Sequence, residues 1–195
     1  MKNLKTFGFA IAVATALMVF AASASATTLT SPAGTTYTGA VKAESILEGL
    51  YVYINGKIEQ TCDAEFEWKA ESHGAAATVN GAVTAFSLSE CGLKITLLKP
   101  GSSEVHTLSE GSAGAGSLTW NGVEATMPIL GLDCVYELEK PYVAIIKGSK
   151  NAGGKTSLVD FEAHWRYLKG SPFCPKTMEW KSYFQVTSPD YLDVD

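Results

Sequence analysis

Apolar and polar side chains alternate along residues 158–168, and this pattern restricts the possible folds more than any other part of the chain. One set of alternate positions is apolar or aromatic: Val159, Phe161, Ala163, Trp165 and Tyr167. The other set is polar: Asp160, Glu162, His164 and Arg166. A period of two residues places successive side chains on opposite faces of a β-strand. The segment therefore predicts a strand with one face in a core and the other in water, as in antiparallel sheets.

Shorter segments of the same kind recur along the chain, separated by turn residues. We predict roughly nine or ten strands, in the segments 51–54, 57–61, 64–70, 83–88, 93–98, 117–120, 124–130, 134–146, 158–168 and 179–187. Turns this frequent leave no room for βαβ crossovers. The predicted fold class is all-β, an antiparallel β-sandwich of the immunoglobulin-like or jelly-roll-like kind. Only Ala43–Leu50 has a composition that fits a turn of helix.

Asn-Gly pairs are strong hairpin signals because both residues adopt positive φ angles readily. Three such pairs occur: Asn55-Gly56, Asn80-Gly81 and Asn121-Gly122. Pro100-Gly101 and residues 151–154 predict two further turns. The segment 149–156 ends in Gly-Lys-Thr, like a phosphate-binding loop, but it begins with Ser149 and a strand follows it, so we interpret it as a hairpin loop.

The first 26 residues have the organisation of a secretory signal peptide. Lys2 and Lys5 form a basic head, Phe7–Ala22 is an apolar run, and 24–26 reads Ala-Ser-Ala, a cleavage signal. We predict that the mature protein begins at Thr27 and that residues 27–195 form a single β-sandwich domain. The apolar run is shorter than the ~20 residues of a membrane-spanning helix. The expected location is therefore secreted, either extracellular or periplasmic, with no transmembrane segment after cleavage.

The charge of the predicted mature chain argues against nucleic acid as a partner. Loss of the two lysines leaves 13 basic and 20 acidic residues, a net charge of about −7, and only one residue, Arg166, is an arginine. Proteins that bind phosphate backbones need clustered Lys and Arg side chains. The same charge balance argues against electrostatic docking on an anionic lipid surface.

The four cysteines all lie in the predicted mature chain, at Cys62, Cys91, Cys134 and Cys174. An even number of cysteines in an exported chain predicts two disulfides, for which three connectivities are open. We favour Cys62–Cys91 and Cys134–Cys174 because sequential pairing suits neighbouring strands. A metal site is not indicated by these cysteines because none has C-x-x-C spacing or a histidine at ligand spacing.

Candidate catalytic residues carry little signal in this sequence. His73, His106 and His164 fall in polar segments or on a wet strand face, and neither H-E-x-x-H nor G-x-S-x-G occurs. Carboxylates that invite a glycosidase or calcium interpretation belong to alternating strands, where a solvated face is the simpler explanation: Glu65, Glu67, Asp160 and Glu162. We therefore assign no catalytic, cofactor-binding or metal-binding residues, expect no cofactor, and predict that the protein is not an enzyme.

The aromatic residues allow two interpretations. Four tryptophans suit a packed core: Trp68, Trp120, Trp165 and Trp180. The alternative is an exposed aromatic strip that contacts sugars or an apolar surface. The best segment for such a strip contains Trp180, Tyr183 and Phe184, because three aromatics in five residues are too many for one face. We take these three side chains as the candidate apolar contact.

Several of these features together resemble a known group of exported proteins. They are the 31–39 segment Ser-Pro-Ala-Gly-Thr-Thr-Tyr-Thr-Gly, Cys62 and Cys91 at strand ends, Cys174-Pro175, Trp180, Tyr183, and the 186–189 segment Val-Thr-Ser-Pro. Their layout is similar to that of the secreted bacterial PraB-like proteins, described as activators of alkane oxidation. The resemblance implies an extracellular protein that assists growth on hydrocarbons without oxidising them, and it transfers no active-site residues.

Three functional hypotheses follow from the sequence. The first is a non-enzymatic accessory protein, like an alkane-oxidation activator, that contacts hydrophobic substrates or the cell surface. The second is a self-assembling subunit of an extracellular fibre, adhesin or biofilm matrix, in which Thr27–Val41 donates a strand to another copy. The third and weakest is a secreted glycan-binding module or hydrolase. The expected partners are accordingly a hydrophobic substrate, the cell surface or copies of the same chain.

Overall fold

A computed structural model describes residues 27–31, 35–71, 78–108, 114–149 and 154–195. The predicted signal peptide lies outside the described residues. The described chain is all-β and antiparallel, as the alternating pattern predicts. Its strands are β1 Leu29–Ser31, β2 Thr35–Thr36, β3 Ala40–Ile54, β4 Lys57–Ala70, β5 Val79–Ser89, β6 Thr96–Lys99, β7 Ser102–Thr107, β8 Gly116–Asn121, β9 Glu124–Ile129, β10 Leu132–Leu138, β11 Tyr142–Lys147, β12 Ser157–Gly170, β13 Thr177–Ser188 and β14 Asp193–Val194.

Most strands belong to one sheet that curls back on itself. Its order is β11-β8-β7-β5-β4-β3-β13-β12-β10-β9-β6, and β11 pairs with β12 as well. The long strands β3, β4, β5, β12 and β13 form one layer of this sandwich-like sheet. If β6 with β7, β8 with β9, and β10 with β11 are each counted as one long strand, every long strand pairs with its neighbours in sequence, and β13 closes the order by pairing with β3. This is a meander, whereas immunoglobulin-like and jelly-roll folds use Greek-key connections.

The second layer consists of three long strands, each interrupted near its middle. β6 and β7 meet at Pro100-Gly101, β8 and β9 meet at Asn121-Gly122, and β10 and β11 meet at residues 139–141. Both β10 and β11 pair with β12, along its C-terminal and N-terminal parts respectively. Fourteen strands are described where roughly nine or ten are predicted, because β1, β2, β7 and β14 lie outside the predicted alternating segments.

The inward faces of both layers form one hydrophobic cluster that is rich in aromatic rings. Trp165 and Trp180 lie at its centre, 0% and 1% exposed, with ring centroids 4.7 Å apart. The outward positions of β12 are exposed, including Glu162 and His164. The alternating pattern of β12 therefore marks one face in the core and one face in water, as predicted.

The two ends of the described chain meet in a small second sheet. β1 pairs with β14 and with β2, and Thr28 and Asp195 exchange backbone hydrogen bonds. Leu29 and Val194 are 1% and 2% exposed because they join the core cluster at this end. The described chain therefore ends in a short strand, β14.

The Asn-Gly pairs have three different outcomes. Asn55-Gly56 is the predicted hairpin turn, with φ angles of 51° and 77°. Asn121-Gly122 forms a turn between strands that do not pair with each other. Asn80-Gly81 was predicted wrongly as a turn and lies inside β5. A Cβ atom at position 81 would clash with the ring of Trp68, so this glycine serves close packing.

The segment Ala43–Leu50 lies within β3 and is not helical. A bulge interrupts the pairing of β3 with β4 here, and Leu47 and Gly49 have positive φ angles, which a right-handed helix excludes. Both favoured disulfides are present: Cys62–Cys91 joins the strand β4 to the connection after β5, and Cys134–Cys174 joins β10 to the β12–β13 connection.

Candidate functional site

The three predicted contact residues do not form an exposed strip. Trp180 and Phe184 are 1% and 0% exposed, whereas Tyr183 is 43% exposed. Positions 180 and 184 have the same parity along β13 and face the core, where Phe184 packs edge to face on Phe66 at 5.2 Å. The contact assignment is therefore wrong for Trp180 and Phe184, and only Tyr183 faces solvent.

The other tryptophans also belong to the core, as the simpler interpretation predicts. Trp68 and Trp120 are each 3% exposed and donate their indole N–H groups, to Ser103 Oγ at 2.5 Å and to the Pro100 carbonyl at 2.8 Å. Among the described residues, no tryptophan is left on the surface. Contact with apolar material must use other side chains.

A different group of apolar side chains is exposed where β9, β10, β12 and β13 are joined. Leu130 in the β9–β10 turn is 96% exposed, Phe173 in the β12–β13 connection is 83% exposed, and Leu168 near the end of β12 is 40% exposed. These elements are neighbours because Cys134 of β10 pairs with Gly170 of β12. We call Leu130, Leu168 and Phe173 the apolar tip.

Phe173 is exposed although its connection is firmly held. The disulfide Cys134–Cys174 fixes the next residue to β10. The Cys174 N–H donates to the Ser171 carbonyl at 3.0 Å, and the Tyr136 hydroxyl donates to the Pro175 carbonyl at 3.0 Å. These bonds hold the backbone on both sides of an aromatic ring that itself faces solvent. Such pre-organisation reduces the conformational entropy that contact would remove.

Leu130 occupies a backbone conformation that leucine normally avoids. Leu130 and Gly131 have φ angles of 52° and 76°, close to the values of Asn55 and Gly56 in the other two-residue hairpin turn. The left-handed region costs an ordinary L-residue about 1–2 kcal/mol, and asparagine tolerates it better. Because the Leu130 side chain is almost fully exposed, burial does not offset this cost. Strained residues of this kind often serve function.

The apolar tip was missed in the sequence for two reasons. Leu130-Gly131 is not a usual turn dipeptide, so the leucine reads as the end of a strand. Phe173 lies between two prolines and next to a cysteine, and its exposure depends on the disulfide. For the predicted contact residues, the alternation along β13 is a usable sequence signal, because it places Tyr183 on the opposite face from Trp180 and Phe184.

The titratable groups named as candidates do not form a catalytic arrangement in the described residues. His106 pairs with Glu104 at 3.3 Å, and His164 pairs with Glu162 at 2.9 Å, both on exposed strand faces. Glu65 and Asp160 are also exposed, and Glu67 is partly exposed. His73 lies outside the described residues.

Tyr136 and Tyr142 have perturbed acidity because they are buried. Desolvation raises the pKa of Tyr136 to about 12, and the nearby Tyr167 acts in the same direction. Desolvation also raises the pKa of Tyr142 well above its ordinary value. The Tyr142 hydroxyl donates to the Asp160 carbonyl at 3.1 Å. Both groups are core residues with satisfied hydroxyls, so their shifts reflect packing.

A small apolar void near the termini, within the part of the chain that the structure describes, has no space for a hydrocarbon chain. That cavity measures about 30 Å³ and is lined by apolar residues that include Leu29, Phe66 and Leu192. A volume of this size holds about one water molecule.

The proposed donor segment Thr27–Val41 is paired within its own chain. Leu29–Ser31 pairs with β14 and β2, and Val41 pairs with Trp68 in β4. Donation to another copy would require these pairs to open. Among the described residues there is no helix with the length and apolar character needed to cross a membrane. Neither a family model, nor a curated protein, nor a solved structure matches the chain.

Proposed function

We propose that this protein is an exported, non-enzymatic accessory factor that contacts hydrophobic substrate, such as hydrocarbon droplets, through the apolar tip. The observation that carries the proposal is the exposure of Leu130 and Phe173, 96% and 83%, on two firmly held connections. The resemblance to alkane-oxidation activators supports the chemical class of the partner. The two disulfides support an oxidising location outside the cytoplasm.

The energy of such a contact can be worked from the side chains. Full burial of a leucine or phenylalanine side chain is worth about 1.5–3 kcal/mol. Leu130 and Phe173 begin almost fully exposed, so insertion of both would yield about 3–6 kcal/mol before the loss of rotational and translational freedom. This is enough for reversible adsorption to a droplet but not for permanent anchoring.

The matching experiment is a binding isotherm on hexadecane droplets with the oxidised mature protein. We expect saturable adsorption by the wild type and a reduction of about 10- to 100-fold for Phe173→Ser, from the loss of one buried aromatic side chain. The control variant is Val143→Ser, because Val143 is 50% exposed on β11, in the other half of the sheet.

Adsorption that is unchanged in Phe173→Ser but reduced in Val143→Ser would overturn the location of the contact. Failure of the wild type to adsorb would overturn the proposed function itself. Growth of the wild type into large particles in buffer alone would favour the self-assembling alternative, and light scattering on the same samples detects it.

A further inference from the structure

A group of potential metal ligands lies on the outward face of β12 and β13, away from the apolar tip residues. Glu162, His164 and Glu179 each offer one ligand atom, and these atoms all lie within 4.8 Å of one another. We propose that Glu162, His164 and Glu179 form a surface site for a divalent transition-metal ion, with zinc as the expected occupant. The proposal does not depend on the proposed function.

The sheet register positions the three side chains. Glu162 and His164 are two residues apart on β12 and therefore share its outward face. Glu179 on β13 is the direct cross-strand partner of His164 on β12. Directly opposed side chains begin about 4.5–5.5 Å apart at Cβ. The backbone thus brings one imidazole and two carboxylates together, with no need for a loop rearrangement.

The distances require only side-chain movement. His164 Nε2 already lies 2.9 Å from Glu162 Oε1. Zinc binds nitrogen and oxygen at about 2.0–2.2 Å, which places the donors of a tetrahedral site about 3.3 Å apart. The side chains of Glu162 and His164 are 46% and 49% exposed, so they can turn by this amount. Water would complete the coordination from the solvent side.

Lys181 is the internal competitor for this site. Its ammonium lies 3.3 Å from Glu162 and 2.5 Å from Glu179, and it partly neutralises both carboxylates. The Lys181 side chain is 42% exposed and can swing into water when an ion binds.

The imidazole of His164 determines which class of metal ion this site would prefer. Calcium and magnesium prefer sites made entirely of oxygen ligands, whereas imidazole suits zinc, copper and nickel. The chain also contains a comparison pair: His106 and Glu104 lie two residues apart on β7, 3.3 Å from each other. Among the described residues this pair belongs to no group of three potential ligands. It should bind an ion far more weakly.

The test is isothermal titration of Zn²⁺ into the oxidised mature protein without an affinity tag. We expect one saturable site in the wild type, at least tenfold weaker binding in His164→Gln, and unchanged binding in His106→Gln. Lys181→Gln should bind more tightly than the wild type because it removes the competing ammonium. Circular dichroism and thermal unfolding confirm that each variant is folded.

Four outcomes would overturn the proposal. The first is no saturable uptake by the folded wild type at millimolar zinc. The second is equal affinity in the wild type and His164→Gln. The third is binding that is lost in His106→Gln instead, which would place the ion on β7. Tighter binding of calcium than zinc would also contradict the assignment, because it would show that the imidazole is not a ligand.

Discussion

Replacement of Leu130 by asparagine should stabilise the protein, because it removes backbone strain without removing a core side chain. Leu130 has φ 52° and is 96% exposed, and the equivalent position of the β3–β4 hairpin is Asn55 at φ 51°. The left-handed conformation costs leucine about 1–2 kcal/mol, and asparagine is several-fold enriched there. We therefore expect Leu130→Asn to raise the free energy of unfolding by about 0.5–1 kcal/mol.

Denaturant unfolding followed by tryptophan fluorescence measures this difference, because Trp165 and Trp180 are buried together at the centre of the core. The reciprocal variant Asn55→Leu should lose a similar amount, since its turn has nearly the same φ angles. A loss of stability in Leu130→Asn greater than about 0.5 kcal/mol would refute the reasoning, because exposed substitutions without a specific role stay within that range.

The same variant has a second expected effect, on droplet binding. If the strain at Leu130 is retained for contact, Leu130→Asn should adsorb to hexadecane about 10- to 100-fold more weakly while being the more stable protein. Leu47→Asn is the matched control, because Leu47 also has a positive φ, 65°, and is 81% exposed, but it lies on the β3 bulge, next to the Ile46 that pairs with Tyr183. Weakened adsorption in Leu47→Asn alone would move the contact to that face.

Other substitutions and conditions have equally definite outcomes. Trp180→Ala should lower the free energy of unfolding by about 3–5 kcal/mol, because it empties the core, whereas Tyr183→Ala should change it by less than about 1 kcal/mol in the same denaturant titration. Replacement of both Cys134 and Cys174 by alanine should lower it by about 4 kcal/mol, as expected for a closed loop of this length, and should weaken droplet adsorption by releasing the β12–β13 connection. Below pH 10 the free energy of unfolding should not depend on the Tyr136 hydroxyl. It should fall as the pH rises from 10 towards 12, because the folded state holds that proton more tightly than the unfolded state. Unfolding titrations at these pH values measure the change, and a rise in stability would contradict the buried hydroxyl.

The fold class was predictable because strands with one buried face show an alternating pattern of apolar and polar residues in the sequence. The polar and apolar sets of β12 are separated by parity, and the observed exposure of Glu162 and His164 against the burial of Trp165 follows it. The disulfide pairing also followed from the expectation that strands near in sequence pair in space, since Cys62 lies in β4 and Cys91 follows β5. These are local properties that do not require knowledge of how the sheet closes.

The turns were harder because a dipeptide does not specify its environment. Asn80-Gly81 carries the same two letters as Asn55-Gly56, yet the glycine at 81 is needed beneath the ring of Trp68 within a strand. Conversely, Leu130-Gly131 lacks the usual composition and yet forms a two-residue hairpin turn. At Gly81 the turn preference of Asn-Gly is outweighed by packing against Trp68. At Leu130 the usual preference against leucine at positive φ is outweighed, although this leucine gains no burial.

The candidate contact could be only partly predicted from the sequence. Counting aromatics in 179–187 suggested a strip, but alternate positions along β13 send Trp180 and Phe184 inward and leave Tyr183 outside. Exposure of Phe173 depends on the β12–β13 connection and its disulfide, and the grouping of Glu162, His164 and Glu179 depends on strand register. Both features arise from contacts between distant parts of the chain.

The most direct measurement of the central claim is carbene footprinting of the oxidised mature protein with and without hexadecane droplets. The account predicts that labelling of Leu130 and Phe173 falls when droplets are present, whereas labelling of Leu47 and Tyr183 is unchanged. Equal labelling of Leu130 and Phe173 in both samples, at a droplet concentration that binds the protein, would contradict contact through the apolar tip.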